Sequence, residues 1–234
     1  MPQLDLLWPD VLALLWFALC WVGYTRYAKR RSATDVCLSS VMHMYREQWA
    51  RALLFRTNRM SDMSVIHTFE RNMAFFGSSS LIIVAGLLTL LGNIEEAIAL
   101  FAHLPFATSQ SPVQWEAKLA LLVVMFVYAF FKFSWAMRQI GFASILVGAA
   151  PEAASQTVSE AEQQDTAQRI ARVVSMAGHH FNRGIRTYYF ALGVLAWFIN
   201  PWIFMATSSL VVAVLYRREF NSSVLRTLMS NRLS

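Results

Sequence analysis

Charge is scarce in this chain: only 15% of its 234 residues are Asp, Glu, Lys or Arg, while 56% are hydrophobic. That balance lies on the apolar side of what a soluble domain carries and points to a membrane protein. Enzyme signatures are missing too. There is no Gly-rich phosphate loop, no Gly-x-Ser-x-Gly elbow, no His-Glu-x-x-His and no carboxylate pair inside an apolar block, so neither an enzyme nor a cofactor is predicted. The two cysteines, Cys20 in an apolar block and Cys37 in a basic stretch, match no zinc or redox spacing and read as free thiols. A secretory signal's basic leader is also lacking. The opening MPQLDLLWPD carries Asp5 and Asp10 but no Lys or Arg, so the first apolar block reads as a retained anchor with Asp10 capping its helix. No fixed-period repeat and no low-complexity tract is present.

The apolar residues come in blocks rather than in alternation, and a helix that spans a bilayer needs about 20 of them in a row. Blocks fall at 8–25, 73–92, 117–137 and 187–216. The last is long: about 29 residues at ~1.5 Å each make ~43 Å, against a hydrocarbon core of ~30 Å. Asn200-Pro201 sits near its middle, and proline removes a backbone donor and clashes with the preceding turn, so the element is broken or kinked there. The predicted fold is all-α, a polytopic membrane bundle of four to five segments forming one domain over 1–220. Helical loops occupy 26–72 and 138–186, and a basic tail follows at 221–234.

The net charge of +6 is not gathered into a patch for nucleic acid but sorted by loop. Arg26, Lys29, Arg30, Arg31, Arg46, Arg51, Arg56, Arg59 and Arg71 separate the first two blocks, and Arg138, Arg169, Arg172, Arg183 and Arg186 separate the third and fourth. The connection from Asn93 to Glu116 holds three glutamates and no Lys or Arg. The excess of Lys and Arg in cytoplasmic loops then puts the basic loops inside and the N-terminus outside. Four plain crossings would strand Arg217, Arg218, Arg226 and Arg232 outside. A hairpin turning at Asn200-Pro201, with arms of about 14 residues, returns them to the cytoplasm. Within the loops, 40–56 and 159–181 read as helices. Ser159 caps the second, and Ile170, Val173, Val174 and Ala177 recur at i, i+3, i+4 and i+7 on one face. Too small for a core of their own, these helices are predicted to pack on each other, on the membrane surface or on a neighbouring subunit.

The runs FKFSWAMRQIGFASILVGAAPE, HHFNRGIRTYYFALGVLAWFINPWIF and ERNMAFFGSSSLIIVAGLLTLLG, with the closing YRREF, resemble the bacterial membrane-protein family catalogued as domain of unknown function 599. The resemblance covers nearly the whole chain. It implies a multi-span bacterial membrane protein with cytoplasmic loops, and implies no activity; the expected location is the bacterial inner membrane.

Candidate functional residues are those whose polarity does not suit their depth. Lys132 follows thirteen uncharged residues, Leu119 to Phe131. Counted from Trp115 it lies roughly 25 Å into a core of ~30 Å. Either it snorkels to the inner headgroups, or it serves a path through the protein. The second reading rests on Tyr128, Lys132, Trp135 and Gln139, which recur at i, i+4, i+7 and i+11 as one polar and aromatic stripe. Ser78, Ser79 and Ser80, whose hydroxyls either coordinate an ion or bond their own helix, and the break at Asn200 and Pro201 complete the candidate lining. Ser78, Ala85, Thr89 and Gly92 give the second block a small-residue face for packing. At the cytoplasmic edge, Glu70, Arg71 and Asn72 form half of a candidate entrance. His179, His180, Asn182, Arg183 and Arg186 form the other half, with Glu70 available to pair with Arg183 or Arg186. Adjacent histidines are not the i, i+4 pair a metal needs on one helical face, and no metal site is predicted. The reading is a small oligomeric ion channel or small-solute transporter, a homo-oligomer in the lipid bilayer moving an ion or small solute. The alternative is a non-conducting scaffold or regulator that binds a partner protein through its cytoplasmic helices.

Overall fold

Local capping sets where most of the helices begin. In the computed structural model, which describes residues 8–32, 35–101, 111–151 and 159–230, Cys37 caps α2 (Leu38–Leu54) and Ser111 caps α5 (Pro112–Ala149), each in a reciprocal box with the residue three positions on. Ser159 caps α6 (Glu160–Leu195), as its spacing predicts, and Asn200 caps α7 (Pro201–Phe220), with Pro201 at the tolerated first position. The remaining helices are α1 (Trp8–Arg31), α3 (Met60–Gly92), α4 (Ile94–Phe101) and α8 (Ser223–Ser230). Asp5 and Arg232 fall outside the described residues.

Three helices, α1, α3 and α5, are long and apolar enough to cross a membrane. Their outer faces carry a belt of exposed apolar side chains, Leu15, Leu19, Ile82, Val124 and Phe131 among them. α3, α5 and α6 run far beyond the apolar blocks, at 33, 38 and 36 residues. At ~1.5 Å per residue each is ~50 Å or longer. The end of an apolar block marks where lipid-compatible chemistry stops; nothing in 60–72, 138–149 or 160–186 stops the helix itself.

The long fourth block divides at the predicted place. α6 ends at Leu195, a single 3₁₀ turn covers Ala196–Phe198, and α7 starts at Pro201. α7 then folds back along α6: the Thr207 hydroxyl donates to the Gly193 carbonyl (3.3 Å), Arg218 bonds the Tyr189 hydroxyl, and Arg186 pairs with Glu219. The arms exceed the predicted 14 residues, because the first is the end of the helix that begins at Glu160 and the second is 20 residues long.

These chain directions sort the molecule into two ends. The turn end gathers the starts of α1, α5 and α7 with the 3₁₀ turn; the basic end gathers the finish of α1 and α7 with α2 and the start of α6. Each half has its own core. Phe17, Leu122, Met125, Phe190, Val194 and Phe204 pack in the first. In the second, Leu53, Ile66, Ile140, Val147, Ile170 and Val174 join α2 and α6 to the extensions of α3 and α5. The two loop helices thus pack on each other, the first of the three arrangements the sequence left open, and also on extensions that block length does not reveal. At the waist, Phe133 stacks on Phe76 and meets Phe181 and Tyr188 edge-on.

Candidate functional site

Polar groups collect at both ends of the first core. At the turn end the opening turn of α1 places Asp10 where the helix dipole favours a carboxylate, and α5 brings Gln114 and Lys118 beside it. Asp10 and Lys118 are 4% and 1% exposed. The Lys118 Nζ lies 3.9 Å from Asp10 Oδ1 and donates to the Trp197 carbonyl at 2.9 Å. The Trp197 indole N–H donates to the same carboxylate at 2.6 Å, and Gln114 donates to its other oxygen at 3.3 Å. Lys118 also sits 5.0 Å from the Trp197 ring centroid. The break after Leu195 is what makes this possible, since it turns the Trp197 carbonyl and indole toward α1 and α5. A buried charge pair of this kind is tolerable only with such extra hydrogen bonds.

At the basic end, α1, α2, α6 and α7 enclose a cavity of about 560 Å³. Lys29, Arg183 and Arg186 line it against one carboxylate, Glu219, together with His43, His179, His180, Ser32, Ser39, Ser40 and Asn182. Glu219 is already engaged: one oxygen pairs with Arg186 at 3.3 Å and the other accepts the Ser39 backbone N–H at 3.3 Å. Arg186 also stacks on the Tyr24 ring. His43 meets Ser175 at 2.8 Å and Glu47 at 3.5 Å. Behind the wall, the Arg46 guanidinium lies against Gly178. Burial pulls Arg46 below its usual range. Burial, with Arg46, Arg183, His43 and Arg186 around it, holds His179 below the ordinary histidine value. His180 is lowered by burial and then by Lys132, Arg183 and His179. Among the described residues neither Lys29, Arg46 nor Arg183 forms an ion pair. Between the two sites the rings of Phe17, Trp21, Phe190 and Phe204 pack against one another.

The candidates read from sequence are distributed rather than assembled. Lys132 is half-buried with its ammonium 4.9 Å from the Tyr128 ring centroid, while Tyr128 and Trp135 are exposed on the bundle surface. Gln139 is buried, and its Oε1 finds no hydrogen-bond partner among the described residues. Ser79 and Ser80 bond the carbonyls of Phe75 and Phe76, Ser80 additionally meets the Tyr188 hydroxyl at 2.9 Å, and Ser78 is exposed. Asn200 accepts the Trp202 N–H at 2.8 Å, and Pro201 starts α7. The small face of Ser78, Ala85, Thr89 and Gly92 is exposed. His179, His180, Asn182, Arg183 and Arg186 share the basic cavity, whereas Glu70 and Arg71 line a separate hollow of about 1020 Å³ with His67 and Met60. Asn72 is exposed, Glu70 meets His67 at 3.4 Å, and the partner of Arg186 is Glu219.

Sequence reasoning missed Lys118, which stands just inside an apolar block, and read Asp10 as a cap only. Opposite charges at the same predicted depth in two blocks were the available signal, since buried charges near lipid pair with one another. It also missed Lys29, Ser39 and His43 as neighbours of Arg183, because three helices separated in sequence bring them together.

The fold is a helical bundle with three helices long and apolar enough to cross a membrane, a buried ion pair at one end and a basic cavity at the other. The chain belongs to the family described as protein of unknown function, DUF599, which matches it over residues 12–224. No curated protein and no solved structure matches it.

Proposed function

We propose that this is a multi-pass protein of the bacterial inner membrane that transports a small solute through the basic cavity. In this reading α1, α3, α5, the last part of α6 and α7 make five crossings, with the N-terminus outside. Support comes from the fold-back of α7, which puts Arg217 and Arg218 at the same end as Lys29 and Arg31 and so satisfies the preference for Lys and Arg inside. The observation that carries the transport reading is the one-sidedness of the polar interior. The cavity opens at the basic end, where Lys29 is exposed, and the packed rings of Phe17, Trp21, Phe190 and Phe204 separate it from the buried Asp10, Lys118 and Trp197 at the turn end. A cavity open at one end and shut off from the other by packed side chains suits alternating access; an open channel would need Lys132, the serines and Asn200 on one path. The exposed small face of α3 suits a homo-oligomer.

The test is uptake into liposomes holding the full-length protein, with phosphate, chloride and potassium as probes and Arg183→Gln beside the wild type. Saturable uptake that falls in the variant supports transport. A conductance that does not saturate puts the channel in its place. No movement with folded protein favours the scaffold reading, which the methionines lining the larger hollow, Met60, Met63 and Met137, also support.

A further inference from the structure

We infer that the basic cavity is a binding site for a phosphate-bearing anion, held by Arg183, Lys29 and the Ser39 hydroxyl, with Arg186 on the wall and Arg46 behind it adding positive charge. The inference deepens the proposed function by naming the chemical class of the solute, and rests on that reading only for transport, not for binding.

The first argument is charge balance. Arg46 and Arg183 are half-buried on facing helices, Lys29 stands at the mouth, and none of the three has an ion pair among the described residues. Partly buried like charges without counterions repel and are costly to hold together, so an anion in the cavity they surround relieves the cost. The second argument is unmet hydrogen bonding. His180 Nδ1, on a residue of the cavity wall, and Arg46 Nε, behind that wall, are buried atoms with no partner among the described residues, and such groups are normally satisfied by protein, water or ligand. The one carboxylate on the wall does not neutralise the set, because Glu219 is already held by Arg186 and the Ser39 N–H.

The donors decide the class. The Arg183 guanidinium fork, the Lys29 ammonium and the Ser39 hydroxyl line the cavity, while Ser32 and Ser40 spend their hydroxyl protons on the Lys29 and Cys37 carbonyls and Arg186 is paired with Glu219; a planar fork matches phosphate oxygens in pairs. A halide offers no directional acceptors for them. The volume of about 560 Å³ exceeds a bare phosphate and leaves room for the group it is attached to. Two sources can bring phosphate to this site, a soluble phosphorylated compound and the headgroup of an anionic lipid, since the cavity adjoins the end of α1.

The experiment uses the full-length protein in neutral detergent. Thermal unfolding is followed against inorganic phosphate and pyrophosphate, with sodium chloride at matched ionic strength as reference, and the phosphorus NMR line of inorganic phosphate is recorded with and without protein. A second arm compares nanodiscs of pure phosphatidylcholine with nanodiscs containing phosphatidylglycerol. The variant is Arg46→Gln with Arg183→Gln, which removes repulsion and so leaves the unliganded protein folded; Arg172→Gln, exposed elsewhere on α6, is the control. Saturable stabilisation and line broadening by phosphate, weakened about tenfold or more in the double variant and kept in the control, establish a soluble phosphate ligand. Stabilisation by phosphatidylglycerol alone, lost in the same variant, establishes a lipid headgroup. No response in either arm, or an equal response in the variant, overturns the proposal. Binding without uptake leaves this inference standing and removes transport, whereas chloride uptake without phosphate binding removes this inference alone.

Discussion

The Lys118 ammonium and the Asp10 carboxylate, from the opening two turns of α5 and the first turn of α1 and more than a hundred residues apart, lie 3.9 Å from each other with almost no exposure to solvent. Both also depend on Trp197, whose indole N–H donates to the acid and whose carbonyl accepts from the ammonium. The 3₁₀ turn is therefore bonded to the start of α1 and of α5.

Removing one member of that pair leaves the other charge buried. Asp10→Asn or Lys118→Met alone is expected to cost about 3–5 kcal/mol. The double variant, which leaves no stranded charge, should recover most of the loss. Unfolding temperatures of the three proteins in detergent check this, and strictly additive losses would show that the two groups are not coupled.

Gly184 is confined by Phe133, whose ring atoms would stand 2.5 and 2.6 Å from an added Cβ. The ring is wedged between Phe76 and Phe181 and has little room to retreat. Gly184→Ala should destabilise by about 1–3 kcal/mol through overpacking. Adding Phe133→Leu should return part of that, read as a non-additive double-variant cycle in thermal unfolding.

Asn200 satisfies the first free backbone donor of α7 by accepting the Trp202 N–H. Asn200→Ala is expected to cost ~1 kcal/mol, and Asn200→Asp, which keeps the acceptor, much less. Equal losses in the two would move the cause away from capping.

Acid should weaken the empty protein and tighten its hold on anions. His179 is held below the ordinary histidine value, so as pH falls below that value the unfolded chain takes up a proton that the folded chain resists, and stability drops. The surrounding charges are Lys29 on α1, His43, Arg46 and Glu47 on α2, Lys132 on α5, His180, Arg183 and Arg186 on α6 and Glu219 on α7. A bound dianion offsets the cationic ones and favours the protonated imidazole. Unfolding temperature without ligand should therefore fall between pH 7.5 and pH 5.5, while the increment from sulfate, whose charge is constant there, should grow. His179→Gln should flatten both trends.

Side-of-membrane reporters check the chain path. A reporter after Ser230 and one inserted at Asn58 should be active on the same side, because α7 returns along α6. Activity on opposite sides would require α7 to continue outward.

Composition and blocking alone determined that the chain is helical and apolar enough for a membrane, because burial in lipid demands long unbroken runs of apolar residues in internally bonded helices. Local chemistry likewise announced the Ser159 cap, the apolar face of Ile170, Val174 and Ala177, and the break at Asn200-Pro201, since capping, periodicity and proline act over a few residues. Pairing was beyond its reach. Lys132 stood out in one dimension because its neighbours are apolar, yet the structure places it half-buried beside Tyr128 while Lys118 takes the buried ion pair. Likewise His179, Arg183 and Arg186 met Lys29 and Ser39 rather than Glu70. Which charges share a site depends on how far each helix runs past its apolar block and how it is rotated about its axis. Packing of Phe133, Gly184 and Tyr188 between distant segments helps set that rotation, which no local pattern of residues encodes.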